Sequence, residues 1–138
     1  MQIVYNQPDI QFELDIEDRV CVLYNKSGEG KSFLFKSLRN NMHKEFSDNY
    51  YYFDYSNYNS ISENHPMFKN SKSLIVFDNA DLYIKDYREL IKNSCAIFII
   101  ITKHIYDTVS GLTYTKYSIT HTQNKVIISR RENAVNSI

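Results

Sequence analysis

The residues from Asn25 to Ser32 have the composition of a phosphate-binding loop. In order they are Asn25, Lys26, Ser27, Gly28, Glu29, Gly30, Lys31 and Ser32. The two glycines allow backbone N–H groups to curl around phosphate oxygens, and a helix that follows directs its positive end toward them. Lys31 is suited to neutralise the outer phosphates, and Ser32 is suited to ligate Mg²⁺. The alternative is an ordinary turn between a strand and a helix.

A carboxylate stands at the end of an apolar segment farther along the chain. Leu74 to Phe77 are all apolar, and Asp78 follows them directly. A carboxylate after a buried strand can hold the coordination shell of Mg²⁺ beside bound phosphates. The simpler alternative is that Asp78 only caps the structure after the strand. The upstream glycine loop favours the metal-binding role.

Together, these two segments resemble the Walker A and Walker B motifs of P-loop NTPases. Residues 25–32 match the pattern G-x-x-x-x-G-K-[ST], except that Asn25 replaces the first glycine. Asn tolerates a left-handed backbone better than most residues do. The resemblance covers about residues 10–129 and includes features of ABC-type and AAA-type ATPases. It implies ATP as the nucleotide and Mg²⁺ as the metal.

The residues after Asp78 bear on whether ATP is hydrolysed. Asp78-Asn79-Ala80-Asp81 resembles the D-E-A-D ending of many ATPases, with Asn79 in place of the Glu that polarises the attacking water in that family. An amide cannot accept a proton. Either Asp81 or another carboxylate takes over this role, or hydrolysis is slow.

Polar residues also follow the most apolar run of the chain, Ala96 to Ile101. Thr102 resembles the AAA-type residue that senses the terminal phosphate, and His104 lies one place beyond the switch histidine of ABC ATPases. A histidine at a strand end is more often simply solvated. Arg130 and Arg131 either form an arginine finger that reaches a neighbouring subunit or are an exposed basic pair.

Hydrophobic periodicity predicts the elements that position these groups. Residues 10–16 alternate strictly and predict a strand with one exposed face, to which residues 3–5 can pair. Residues 20–24 are apolar throughout and predict a central strand. Further strands are predicted at 50–53, 73–77 and 96–101, helices at 31–44 and from Asp81 through Asn93, a loop at 54–72, and a terminal hairpin at 114–120 and 125–129.

Strands that alternate with helices predict the α/β class, here a three-layer P-loop NTPase core with a mostly parallel sheet and antiparallel edge strands. The chain resembles the division of P-loop proteins that has an extra strand between the P-loop strand and the Walker B strand. That resemblance implies that the strand at 20–24 lies beside the strand at 96–101, which in turn neighbours the strand at 74–78. The segment between Asp54 and Ser73 has no room for the helical subdomain of ABC ATPases. The sequence also has neither an S-G-G-Q-like signature nor an AAA-type helical lid.

Length and composition fit a single domain over residues 1–138. The 16 Lys and Arg residues balance the 16 Asp and Glu residues, so net charge does not indicate a nucleic acid partner. No run approaches the roughly 18 apolar residues of a membrane span, and a cytoplasmic protein is expected. Cys21 and Cys95 are expected to be buried, reduced thiols.

Three functions fit these observations, and whether the chain is an enzyme depends on Asn79. The first is a slow ATPase or an ATP-dependent switch that acts with a protein partner or as a homo-oligomer. The second is a subunit that holds Mg-ATP with little catalysis, because Asn79 cannot act as a base. The third is a degenerate P-loop module that retains only an interaction role.

Overall fold

The computed structural model describes residues 1–6, 9, 11–24, 34–36, 38 and 49–131. One mixed sheet of eight strands, curved into a half-barrel, is its main element. The strands are β1 (Gln2–Asn6), β2 (Gln11–Asp15), β3 (Val20–Tyr24), β4 (Tyr50–Phe53), β5 (Leu74–Phe77), β6 (Ile97–Thr102), β7 (Thr115–His121) and β8 (Lys125–Arg130). Their order across the sheet is β1-β2-β8-β7-β3-β6-β5-β4.

The described helices are short. The α-helices with full bounds are α1 (Arg88–Asn93) and α2 (Ile105–Thr108), and the 3₁₀ helices are Tyr58–Ser60, Pro66–Lys69, Ala80–Leu82 and Ile84–Tyr87. Residues 34–36 and 38 are also helical, with Leu34, Phe35 and Leu38 buried. Within the described ranges, no helix is long and apolar enough to cross a membrane.

The predicted three-layer α/β P-loop core is wrong, because the part of the chain that the structure describes is mostly strand, with a mixed sheet and few helices. The connections explain the difference. Between β5 and β6 the chain forms two 3₁₀ helices and the six-residue α1, and between β6 and β7 it forms only the four-residue α2. Helices of one turn or little more cannot form a continuous layer over an eight-stranded sheet.

The sheet is also mixed in a way that the prediction did not include. β3 pairs in parallel with β6 and β7, β5 pairs in parallel with β4 and β6, and β2 pairs in parallel with β8. The antiparallel pairs are β1 with β2 and β7 with β8. β8 therefore lies inside the sheet, between β2 and β7, and only the β1–β2 pair is an antiparallel edge.

Several local predictions are confirmed. β2 alternates between buried and more exposed positions, β1 pairs with it, and β3 is buried at four of its five positions. The predicted order, with β3 beside β6 and β6 beside β5, is the observed one. The terminal hairpin forms as β7 and β8.

Apolar side chains pack on both faces of the sheet. One cluster includes Leu14, Leu23 and Val76 together with the buried side chains of residues 34, 35 and 38. The other cluster includes Val22, Phe77 and Phe98. Because β3, β5 and β6 contribute to both clusters, these strands are covered on both faces, as their continuous apolar sequences require.

Two further predictions need correction. The helix predicted from Asp81 through Asn93 becomes regular only at Arg88. Asn79 has a left-handed backbone (φ 50°, ψ 43°), and Tyr83 packs its ring edge-on against Phe77, 6.1 Å between centroids, so tertiary contacts override helix propensity here. In addition, Cys21 is buried as predicted but Cys95 is exposed, and both are free thiols.

Candidate functional site

The candidate site lies where the parallel strands β3, β6, β5 and β4 end, and this rim is called the carboxyl edge below. The register pairs Tyr24 with Thr102 and Phe77 with Ile100, so the last residues of β3, β6 and β5 come to the same rim. Asp78 follows β5 directly. In sheets with parallel strands, ligands generally bind in the crevice outside these carboxyl ends.

Asp78 is almost completely buried at this edge, with 1% of its surface exposed. The Tyr52 hydroxyl donates a hydrogen bond of 2.5 Å to Asp78 Oδ2, and the Asn79 N–H donates one of 2.9 Å to Oδ1. The Tyr83 hydroxyl donates a bond of 2.6 Å to the Asp78 backbone carbonyl. Both carboxylate oxygens and the backbone of Asp78 are therefore held in fixed positions.

Tyr52 is a site residue that the sequence analysis missed. Burial raises the pKa of its hydroxyl far above the usual range, and the hydrogen bond to Asp78 raises it further. Tyr52 therefore remains protonated and acts as a donor. The register of β4 with β5 pairs Tyr52 with Val76, which places it on the same face as Asp78. The sequence predicted a strand at residues 50–53, but four consecutive aromatic residues gave no indication of which face each would occupy or which strand would be its neighbour.

Asn79 and Asp81 take different positions after β5. Asn79 has a left-handed backbone, and its N–H donates to the Asp78 carboxylate one residue earlier. Asp81 instead meets the end of β6, where its Oδ1 accepts hydrogen bonds from Thr102 Oγ1 at 3.2 Å and from the Lys103 N–H at 3.4 Å. Of the two candidate groups for polarising water, Asp81 is the carboxylate, and it is linked to Thr102.

Thr102 connects three elements at the carboxyl edge. Its side chain is buried, and its Oγ1 lies 2.7 Å from Thr108 Oγ1 in α2. The His104 N–H donates to the same oxygen at 3.0 Å, whereas the His104 side chain is exposed. Together with the bond to Asp81, these contacts join β6, the turn after β5 and α2 into one hydrogen-bonded unit.

Two open clefts flank this unit. A cleft of about 320 Å³ is lined by residues of the β6–α2 segment and the end of β3, namely Tyr24, Lys103, His104, Ile105, Tyr106 and Asp107. A second cleft, of about 190 Å³, shares two lining residues with the first, and its polar lining consists of Asp81, Lys85, Arg88, His104, Asp107 and Thr108. We call them the Tyr106 cleft and the Arg88 cleft.

The predicted phosphate-binding residues, from Asn25 through Ser32, lie outside the described residues. The chain is described again from Leu34. Lys36 forms a salt bridge of 3.6 Å with Asp54, the residue after β4, and the Tyr50 hydroxyl donates to the Phe35 carbonyl at 2.8 Å. The helical residues 34–36 thus contact β4 and the carboxyl edge. Among described residues, no group of three or more His, Cys, Asp or Glu could hold a metal ion.

Arg130 lies at the opposite rim, called the amino edge below. β8 runs antiparallel to β7, so it ends where β3 begins. Arg130 donates to both carboxylate oxygens of Asp18, at 3.1 and 2.7 Å, and the Tyr117 hydroxyl donates to Asp18 at 2.8 Å. The hydrogen bonds from Arg130 lower the pKa of Asp18. Arg130 is thus engaged within its own chain, while Arg131 is exposed.

Comparisons of the chain with protein-family models, with curated proteins and with solved structures find no match.

Proposed function

We propose that the chain binds Mg-ATP at the carboxyl edge. In this proposal the backbone of residues 25–32 surrounds the phosphates, Lys31 neutralises them, and Ser32 and Asp78 hold Mg²⁺. The observation that supports it most is the meeting of buried Asp78 and Thr102 at the rim where β3 ends at Tyr24.

Chain connectivity supports this location for the phosphates. Asn25 follows Tyr24 directly, and Tyr24 is paired with Thr102 at the end of β6. Farther along the chain, Lys36 is paired with Asp54 at the same rim. Residues 25–32 are thus attached to the carboxyl edge at one end and lead into a helical segment that contacts it. A glycine-containing loop between a strand and a helix is the setting in which backbone N–H groups bind phosphate.

The surroundings of Asp78 suit a carboxylate that ligates a metal. Ligating carboxylates are usually oriented by neighbouring hydrogen-bond donors, and Tyr52 and the Asn79 N–H orient Asp78 in this way. Mg²⁺ prefers oxygen ligands and is commonly held by one or two protein groups together with substrate phosphates and water. Asp78 and Ser32 are such a pair. Bound Mg²⁺ would offset the charge of the phosphates.

Slow hydrolysis follows from the groups near Asp78. Asn79 can orient water but cannot take its proton. Asp81 is the remaining carboxylate in this turn, and its Oδ1 is already hydrogen-bonded to Thr102 and to the Lys103 N–H. The hydrogen bonds of Thr102 join the carboxyl edge to α2. An ATP-dependent change at this edge can therefore reach a protein partner or a second copy of the chain through α2. We propose that the protein binds and hydrolyses ATP in the cytoplasm.

A second candidate is a protein that holds Mg-ATP without turnover. The side chain of Asn79 favours it, because an amide cannot take a proton from the attacking water. Single-turnover phosphate release distinguishes the two candidates. A measurable rate selects the slow ATPase, and complete retention of ATP selects the holding role.

The test of the common proposal is thermal unfolding with ATP, GTP or ADP, each with and without Mg²⁺. A ligand that binds only the native state raises the apparent stability. We expect Mg-ATP to stabilise the wild type and the Lys72→Ala control, because Lys72 is exposed and precedes β5 at the amino edge. Lys31→Ala should lose this stabilisation while its unliganded melting temperature stays the same. Equal ATP stabilisation of both variants would exclude the phosphate role of Lys31.

A further inference from the structure

Two exposed tyrosines line the Tyr106 cleft. Tyr24 is 55% exposed and Tyr106 is 77% exposed, although both carry large aromatic rings. Lys116 Nζ lies over the Tyr106 ring, 5.5 Å from its centroid, in a cation–π contact. The cleft therefore presents aromatic faces to solvent with a positive charge beside one of them.

The Arg88 cleft continues this surface. It shares His104 and Asp107 with the Tyr106 cleft, so the two clefts adjoin along α2. Lysines and an arginine contribute the cationic lining, with Lys103 in the first cleft and Lys85 and Arg88 in the second. Asp86 and Glu89, which neighbour these cations in sequence, do not line either cleft. We call the combined surface the aromatic-cationic track.

Arg88 is held in place on this track. Its Nε donates to the Thr108 carbonyl at 3.0 Å, and its Nη2 donates to the Asp107 carbonyl. Its remaining nitrogen, Nη1, makes no hydrogen bond with a described residue. A guanidinium anchored in this way loses little side-chain entropy when it binds an anion, and its planar donors match phosphate oxygens.

We propose that the aromatic-cationic track binds single-stranded nucleic acid. Bases stack on Tyr24 and on the face of Tyr106 that Lys116 does not cover, and the phosphate backbone passes Lys103, Arg88 and Lys85. Aromatic platforms combined with a basic groove are the means by which proteins bind single strands with little sequence preference. In a duplex the base faces are already stacked on each other and cannot contact the tyrosines. Because the positive and negative charges of the whole chain balance, its composition does not indicate the local group of cations along this track.

The track is charge-complementary to a nucleic acid strand in spite of its two acids. Asp81 accepts hydrogen bonds from Thr102 and Lys103 at the base of the Arg88 cleft, and Asp107 provides the backbone carbonyl that anchors Arg88. The cations that line the track are Lys85, Arg88 and Lys103. Among the residues that line the track, three positive charges stand against two negative charges.

The test is fluorescence anisotropy of a labelled short oligothymidylate at low salt, in the absence of ATP and Mg²⁺. Tyr24→Ala and Tyr106→Ala should each raise the Kd about tenfold, the loss expected for one stacked base. Tyr55→Ala is the matched control, because Tyr55 is 62% exposed but lines neither cleft, and its Kd should match the wild type. All three variants should unfold at the wild-type temperature, because exposed rings contribute little to stability.

Salt dependence provides a second readout. Lys103→Gln should reduce the slope of log Kd against log salt by about 0.7, the value for one phosphate contact on a single strand. Lys72→Gln should leave the slope unchanged. Absence of oligothymidylate binding at low salt, wild-type Kd values in both tyrosine variants, or tighter binding of a duplex would each overturn the proposal.

The same assay separates this track from the proposed ATP site. The proposal predicts that Lys31→Ala binds oligothymidylate as the wild type does. Loss of oligothymidylate binding in Lys31→Ala would assign the phosphate contacts to residues 25–32 and reject the track. Full competition by ATP alone would identify Tyr24 and Tyr106 as contacts for the base of a mononucleotide, and would also reject the single-strand proposal.

Discussion

Asp18 at the amino edge and Asp78 and Asp81 at the carboxyl edge receive hydrogen bonds from different kinds of donors. At the amino edge, Asp18 is neutralised by a bidentate bond from Arg130 and receives a further bond from Tyr117. At the carboxyl edge, the described bonds to Asp78 and Asp81 come from hydroxyl and backbone N–H donors. Asp81 forms no ion pair with a described residue.

This difference separates a structural cluster from a candidate binding site. A carboxylate paired with a guanidinium has its charge compensated within the fold and adds to stability. Hydroxyl and backbone N–H donors orient a carboxylate for metal ligation without themselves adding a positive charge to the site. We therefore expect substitutions at the amino edge to change stability alone, and substitutions at the carboxyl edge to change ligand binding as well.

The largest expected effect is at Asp78. Asp78→Asn should remove most of the Mg²⁺-dependent part of ATP binding and keep the Mg²⁺-independent part, because the amide is a poor ligand for Mg²⁺. Calorimetric titration of ATP with and without Mg²⁺ measures both parts. Asp18→Asn is the matched control and should bind Mg-ATP with wild-type affinity. Equal loss of both parts in Asp78→Asn would reduce Asp78 to a structural residue.

The next largest effect concerns turnover. If Asn79 occupies the site of the water-polarising group, Asn79→Glu should raise the single-turnover hydrolysis rate by about 100-fold, within the usual range for a general base, with little change in ATP affinity. If Asp81 does this work instead, Asp81→Ala should eliminate turnover and Asn79→Glu should add little. Vigorous wild-type hydrolysis that persists in Asp81→Ala would contradict both versions.

Removal of one hydroxyl at each edge compares the edges directly. Tyr52→Phe and Tyr117→Phe should each lower the free energy of unfolding by about 1–3 kcal/mol, because each leaves a partner without its hydrogen bond. Only Tyr52→Phe should also weaken Mg-ATP binding, by about tenfold, because the orientation of Asp78 is relaxed. Denaturant titration and calorimetry measure the two quantities. A comparable loss of Mg-ATP affinity in Tyr117→Phe would remove the distinction between the edges.

The smallest effect is the pH dependence of the amino edge. The folded pKa of Asp18 is lowered from 3.8, so its contribution to stability is present above about pH 4 and is lost as the pH falls through the folded pKa. Burial raises the pKa of Tyr117 above its ordinary value of 10.0. The contribution of Tyr117 to stability is therefore lost as the pH rises from about 10 through its folded pKa. Asp18→Asn should flatten the acid limb of the stability curve and Tyr117→Phe the alkaline limb. If the acid and alkaline limbs of the stability curve were unchanged in these variants, Asp18 and Tyr117 would have the same pKa in the folded and unfolded states.

Local patterns predicted the strands well, for a physical reason. Whether a strand is covered on one face or on both depends on its own residues, and β2 and β3 show the two cases clearly. The relative order of β3, β6 and β5 followed from the family resemblance and is confirmed. The placement of Asp78 and Thr102 at the ends of neighbouring strands was predictable for the same reason.

The errors have a common origin in long-range contacts. The bond from Tyr52 to Asp78 joins residues 26 positions apart, and only the pairing of β4 with β5 brings them together. The helix expected after Asp81 loses its first turns because Asn79 is left-handed and Tyr83 turns inward. The sequence did not predict that β8 lies between β7 and β2, because the residues of β2, β7 and β8 would also suit a strand at the edge of the sheet.

The pairing of β2 with β8 has a consequence for how the protein folds. Phe12 lies beside Val126 and Leu14 beside Ile128, so the parallel pairing closes a loop of more than one hundred residues. Such distant contacts form late, because the entropy of loop closure must be lost before they can contribute. During synthesis, β2 can pair with β8 only after β8 has left the ribosome. Until then, one edge of the β1–β2 hairpin stays unpaired. We therefore expect slow folding, limited by this step, and transient exposure of an aggregation-prone edge to chaperones.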